Sequence, residues 1–380
     1  MSNQINRRNW LRQSALSLTA LGNTQSLFSN DLNGFPERLS TIPSADNPIL
    51  LNSNENPYGP SPMAQKAIVQ HYLTSNRYPD NFIASLKQKL ALHWKVQEQN
   101  ILLGAGSSEI IGLACQLAAA NSKGHIITAE PSYKGWNRQA SALGFSFKRN
   151  PLPQNSSPDL NSLFGPITPQ TKMVYICNPN NPTGTVMDVK QVEDFALKVP
   201  KETYVFIDEA YTEYAGLATL APIAIKHPNI IVAKTFSKIY GLAGARVGYA
   251  IAHPKTIEAL SAFQPWPDSN VSAVAATAAI ASLSDQGFIN DCREKANQAK
   301  EICYATFREL NFKYIPSSAS FILFNIDKLK GNLVEEMKQR NIEVQYRQHY
   351  EGKWCRVSMG TIEEMEIFTK ALREILRSIL

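Results

Sequence analysis

From about residue 100 the chain alternates short β-forming runs with helical stretches, and this pattern restricts its fold more than any other feature. The runs are "NILLG", "HIITAE", "KMVYICN", "TYVFID", "NIIVAKT" and "RVGYAIA". Between them lie stretches with helical spacing, such as "SSEIIGLACQLAAA" and "DVKQVEDFALKV". Nearly continuous apolar strands separated by helices predict an α/β fold, with a mostly parallel sheet covered by helices on both faces. In such sheets ligands sit beyond the carboxyl ends of the strands.

The texture changes after "FQPWPDSN". One long helical region is expected over about 271–310, followed by strands at "SFILFNI", "IEVQYR" and "WCRVSMG" and an amphipathic C-terminal helix. Ahead of the sheet, "LLNSNENPYGPSP" is too rich in Asn, Pro and Gly for a regular element, and "MAQKAIVQHYL" has helical spacing. These shifts give four segments: a basic leader (1–30), an arm with part of a small domain (31–75), a large domain (76–280) and a smaller α+β domain (281–380).

Composition excludes several classes. Hydrophobic content of 44% and charged content of 18% describe a globular chain with a core. Of the net charge of +6, the acid-free leader carries +3 through Arg7, Arg8 and Arg12, leaving too little elsewhere to argue for nucleic acid. Five scattered cysteines without a CxxC pair read as reduced, buried thiols, and no metal site is expected. No apolar run reaches the ~18 residues of a membrane span. The leader "NRRNWLRQSALSLTALG" resembles a bacterial twin-arginine export signal, with a basic tail as the alternative, so the compartment is either the cytoplasm or the periplasm.

Unusual polar residues collect at the strand ends. Ala105, Gly106 and Ser107 close one strand and open a helix, where free N–H groups and the helix dipole suit a phosphate. Asn181 lies in a proline-locked turn after "KMVYICN". Asp208 ends "TYVFID", and Tyr211 follows it; an acid at a sheet edge needs a partner. Lys238 comes one crossover later, flanked by Thr235, Ser237 and Arg246. Pyridoxal 5′-phosphate (PLP) needs this set: Lys238 for a Schiff base, Asp208 for the ring nitrogen, and Asn181 and Tyr211 for the phenolic oxygen. Ser237, Thr235 and the guanidinium fork of Arg246 suit its phosphate.

Taken in order, "NPNNPTG", "IDEAY", "TFSKIYGLAGARVGY" and "CRVSMGT" resemble the class I/II, fold-type-I PLP-dependent aminotransferases over most of residues 45–380. "LNSNENPYGPSP" and "RYPD" resemble the histidinol-phosphate aminotransferase subfamily. The resemblance implies that Lys238 is the Schiff-base lysine and proton carrier, and that Tyr133 stacks on the ring. It also implies that Ala105, Gly106, Ser107, Thr235, Ser237 and Arg246 form a phosphate cup. Tyr78 would reach the neighbouring subunit's site, making the protein a homodimer. Arg356 would bind the substrate's anionic end, with Asn56 and Tyr58 also touching substrate, and 2-oxoglutarate would be the acceptor. Relatives of this kind carry an arginine where Gln345 stands; Arg347 lies two residues on, displaced by about 6–7 Å on the same strand face. The alternatives are an aromatic or other amino-acid aminotransferase, a threonine-phosphate decarboxylase-like enzyme, or a non-catalytic sensor on the same fold.

Overall fold

The computed structural model describes residues 44–120, 123–153 and 158–379. The leader, most of its connection to the arm, and the export reading lie outside the described residues. Strand β1 (Ile49–Leu50) opens the arm, and helix α1 (Pro62–His71) follows, capped by the Ser61 hydroxyl that accepts the Ala64 N–H. Helix α2 (Asp80–Trp94) leads into the first sheet.

That sheet contains β2 (Ile101–Gly104), β3 (His125–Glu130), β4 (Ser146–Pro151), β5 (Thr171–Cys177), β6 (Tyr204–Asp208), β7 (Ile230–Thr235) and β8 (Gly248–Ala252). Its order is β2-β8-β7-β6-β5-β3-β4, parallel throughout except that β8 runs antiparallel between β2 and β7. Six of the seven strands coincide with the β-forming runs of the sequence. The seventh, β4, sits at the sheet edge with a mostly exposed surface and a charged sequence, so it lacks an apolar signal. Two apolar clusters cover the two faces: one includes Ile101, Val174, Val205 and Val232, the other Leu102, Met173, Phe206 and Ile231. This division follows from the alternation of side chains along each strand.

Helix α3 (Ser107–Ala119) follows β2, and α4 (Val189–Lys198) follows β5. The helical region at 271–310 is two helices, not one: α5 (Ala273–Ser284) ends at Asp285, whose carboxylate accepts the Phe288 N–H and starts α6 (Gln286–Glu309). A second sheet follows, with β9 (Tyr314–Ile315) and β10 (Phe321–Asn325). The run "IEVQYR" also divides. β11 (Ile342–Glu343) pairs in parallel with β1, whereas β12 (Gln345–His349) pairs antiparallel with β13 (Gly352–Ser358). The order of this sheet is β12-β13-β10-β9, and helix α7 (Ile362–Ile379) covers it.

The second sheet has an apolar core of its own, containing Ile322, Phe324, Val357, Met365 and Phe368, and Ile49 and Leu51 of the arm join it. Helix α6 contributes to both interiors: Ile289, Cys292 and Ala296 face the first, Ala299, Cys303 and Phe307 the second. Among the described residues no helix is long and apolar enough to cross a membrane.

Candidate active site

The register of the first sheet gathers its strand ends at one edge. Gly248 pairs with both Gly104 and Thr235, and Asp208 pairs with Cys177, so the ends of β2, β7, β6 and β5 lie together. A cavity of about 670 Å³ opens there. Its wall includes Ser107, Tyr133, Asn181, Asp208, Tyr211 and Thr235 from one side, with Ser237, Lys238 and Arg246 beside them. The arm supplies Asn54, and the second sheet supplies Gln345, Arg347 and Arg356.

Asp208 is 3% exposed and lines the floor. Its Oδ2 accepts the Tyr175 hydroxyl at 2.8 Å and its Oδ1 the Ala210 N–H at 3.1 Å. Burial pushes its pKa up; Tyr175, the Ala210 N–H and the positive charge of Lys238 work against that rise. Among the described residues no lysine, arginine or histidine forms an ion pair with it. A buried carboxylate so placed suits a protonated ring nitrogen.

Two lysines four residues apart have opposite environments. Lys234, 1% exposed, is coordinated by Glu209 at 3.1 Å, Glu213 at 3.0 Å and the Thr212 hydroxyl at 2.8 Å. Burial pulls its pKa down, but Glu213 and Glu209 outweigh it and the ammonium is reinforced. Lys238 reaches the cavity and, among the described residues, donates to two backbone carbonyls, Ser53 O at 3.3 Å and Asn54 O at 3.2 Å. Burial, aided by the charge of Arg356, lowers its pKa to about 8. Of the two, only Lys238 has an amine suited to reaction near neutral pH.

Opposite Lys238, Tyr211 packs edge-on to Phe321 at 5.1 Å between centroids, and its hydroxyl accepts from Asn54 Nδ2 at 3.0 Å. The hydroxyl proton is thereby left to point at a ligand. Asn181 Oδ1 accepts from Arg356 Nη1 at 2.9 Å, which leaves the amide NH₂ as the donor. Tyr133 shares this wall, and burial raises its pKa.

The proposed cup is built on close backbone packing. A Cβ on Gly248 would lie 2.4 Å from Gly106 C and Ser107 N, so only glycine lets β8 approach the loop. Gly106 has φ +79°, and Arg246 holds φ 59°, a left-handed conformation uncommon for arginine. The Arg246 guanidinium donates to Ala243 O at 2.9 Å and Ala105 O at 3.1 Å, with Ser237 Oγ at 3.5 Å, and among the described residues it forms no ion pair with a carboxylate. Thr235 Oγ1 donates to Ser237 Oγ at 3.0 Å and accepts the Ser237 N–H. This is a cation with hydroxyls and a helix N-terminus around it, which fits a phosphate dianion.

Some expected residues are used differently. The Ala105 N–H is taken by Glu109 Oε2 at 2.6 Å, so that amide does not face the cavity. Asn56 and Tyr58 do not line the cavity. Asn56 Nδ2 donates to Ile239 O at 2.7 Å while Oδ1 accepts the Tyr58 N–H, pinning the arm to the segment that carries Lys238. Asn54, two residues earlier, lines the cavity together with Asn52, Ser53 and Glu55; its φ is 55° and it is bonded to Ser358. Sequence reading passed over it, over Tyr175, and over Ser108, which lines the cavity and hydrogen-bonds with the Tyr133 hydroxyl. Tyr78 is 91% exposed.

At the far wall, Gln345 stands directly opposite Arg356 and Arg347 opposite Trp354, so no register shift brings Arg347 into Gln345's place. Among the described residues, Arg356 Nε and Gln345 Oε1 are buried without hydrogen-bond partners. Burial lowers the Arg356 pKa to about 10, and the nearby Arg347 charge adds to the fall. Among the described residues neither Arg356 nor Arg347 forms an ion pair with a carboxylate, so this wall carries two guanidinium charges.

Residues 46–372 match the family profile of aminotransferase class I and II. A histidinol-phosphate aminotransferase of Moorella thermoacetica is 35% identical over 334 residues, covering 86% of this chain and 85% of that protein. Among solved structures, a putative histidinol-phosphate aminotransferase from Erwinia carotovora atroseptica is 32% identical and superposes with a TM-score of 0.81 over 89% of this chain and 99% of that one. Another, from Sinorhizobium meliloti in complex with pyridoxal-5′-phosphate, is 27% identical with a TM-score of 0.79, over 87% of this chain and 91% of that one.

Proposed function

Since the chain belongs to the class I and II aminotransferases, whose cofactor is PLP, we propose that it exchanges an amino group between histidinol phosphate and 2-oxoglutarate. The observation that carries this reading is the cavity wall where, among the described residues, Arg356 and Arg347 form no ion pair, in a chain about one-third identical to histidinol-phosphate aminotransferases.

When bound, the cofactor supplies an aldehyde for the amino group and a ring that withdraws electrons from the substrate Cα. Asp208 would hold the proton of the ring nitrogen. Asn181 and Tyr211 would donate to the phenolic oxygen, and Tyr133 would pack against the ring. Arg246, Ser237, Thr235 and the N–H groups at Ser107 would hold the phosphate. Lys238 would anchor the cofactor covalently and would carry the proton of the substrate Cα, for which an amine with a pKa of about 8 is well matched. Arg356 grips the substrate anion, and Arg347 extends the positive wall.

Assay of an amino-donor panel against 2-oxoglutarate tests the proposal: histidinol phosphate should give the highest kcat/KM. Gln345 opposite Arg356 favours a second reading, an amino acid whose carboxylate needs one fork only. An aromatic donor outperforming histidinol phosphate would select it, and carbon dioxide release without an oxo product would select decarboxylation. On the leading reading, Arg356→Ala should lower kcat/KM for both substrates by about 10²- to 10⁴-fold, the cost of leaving a buried anion unpaired. Arg347→Ala should cost about 10- to 150-fold for the phosphorylated donor, and less for glutamate.

A homodimer with shared sites belongs to the same proposal. Its support is Tyr78, 91% exposed, close in sequence to Leu73 at 72% and Tyr72 at 51%. Mixed Tyr78→Ala and Lys238→Ala chains, each impaired alone, should regain activity, because one of the two mixed sites would contain both intact residues. Absence of recovery in a verified mixed dimer would refute sharing through Tyr78.

A further inference from the structure

Glu109, at the start of α3, meets more donors than an amide could serve. Its Oε2 accepts the Ala105 N–H at 2.6 Å. Its Oε1 accepts Gln264 Nε2 at 2.8 Å and Asn270 Nδ2 at 2.7 Å. Three N–H groups thus converge on two oxygens, so both oxygens must be acceptors. The side chain folds back against β2: a Cβ on Gly104 would lie 3.2 Å from Oε2.

The donors come from a separate segment, residues 264–270, which is itself strapped to β2. Gln264 Nε2 also donates to Leu103 O at 2.9 Å, and Asp268 Oδ1 accepts the Leu103 N–H at 2.6 Å. Asp268 is held in turn by Lys87 at 2.9 Å. On its other side, Ala105 presents its carbonyl to Arg246 Nη2 at 3.1 Å. One peptide residue is therefore gripped at its N–H by Glu109 and at its C=O by the guanidinium assigned to the phosphate.

We infer that Glu109 is a positioning residue for the cofactor's phosphate: through Ala105 it fixes the 105–107 turn and the aim of Arg246, without touching the phosphate itself. The inference rests on the proposed cup and is independent of which amino donor is used. Plain electrostatics would give the opposite sign, because a carboxylate beside a helix N-terminus repels a dianion and its neutralisation should tighten binding. Glu109→Gln keeps the size of the side chain but turns an NH₂ group toward at least one of the three donors, so the turn loosens.

The test titrates the cofactor-free full-length protein with PLP and, separately, with pyridoxal, which lacks the phosphate. Glu109→Gln should raise the Kd for PLP by about 10- to 100-fold and leave pyridoxal within about twofold. Asn270→Ala, at an exposed position where folding is not at risk, should act in the same direction by about 3- to 10-fold. Unchanged or tighter PLP binding in both variants would overturn the inference, as would equal losses for both probes. Arg246→Ala is the control for the cup: if it leaves the preference for PLP over pyridoxal intact, the cup assignment has failed rather than the role of Glu109.

Discussion

Lys238→Ala is expected to yield a folded protein whose turnover falls by about 10⁴-fold or more, since on the proposed mechanism it loses both the covalent anchor and the proton carrier. Borohydride reduction of the wild-type holoenzyme should leave a cofactor mass on residue 238, and the variant should carry none. The amine also predicts a pH signature. With its pKa lowered to about 8 from an ordinary 10.5 by burial and the Arg356 charge, the free base becomes the major form above pH 8. The rate at which the cofactor-free enzyme captures PLP should therefore rise up to about pH 8 and then level. A continued rise toward 10.5, or normal turnover in the alanine variant, would contradict the assignment.

Asp208→Asn carries the second large effect, and it should separate the loaded from the empty protein. With cofactor present, the amide cannot stabilise a ring-nitrogen proton, and breaking a buried ion pair of this kind costs about 3–5 kcal/mol. That corresponds to about 10²- to 10⁴-fold in kcat/KM. Without cofactor the sign reverses. Burial raises the Asp208 pKa, so the native state holds this proton to higher pH than the unfolded chain does. Its contribution to stability is full below the ordinary value of 3.8 and is lost as pH rises through the native one. As pH rises the empty wild type thus loses this stabilising contribution, whereas the empty Asn variant has no carboxyl group to ionise and should melt at the same temperature or higher. A variant that loses stability in the empty state while keeping activity would assign Asp208 a purely structural role.

The features legible in the sequence were those that follow from chain-local rules. Apolar runs of four to seven residues between helices marked β2, β3, β5, β6, β7 and β8, and an acid closing such a run marked Asp208 as a strand-end residue. Edge strand β4 escaped because its partner on one side is water and its residues are accordingly polar. The division of "IEVQYR" depends on β1, nearly three hundred residues away, and no local pattern encodes it.

In the site, the motif "NSNENPYG" marked the right segment but the wrong asparagine: Asn54 lines the cavity and Asn56 does not. Tyr175 was hidden by its place inside an apolar strand; its hydroxyl reaches Asp208 across the neighbouring strand. Glu109 stood in plain view three residues after the glycine of the proposed phosphate cup. Its role emerges only once residues 264–270 fold over that loop, bringing together partners 155 and 161 positions apart.

Helix α6 has 24 residues and lends side chains to two separate oily interiors. Severing the chain there would leave each fragment with a face stripped of its cover, so neither piece should survive as an independent module. Inheritance of this architecture is therefore all or nothing, and a gene fusion or truncation must respect the whole span from the arm to the last helix.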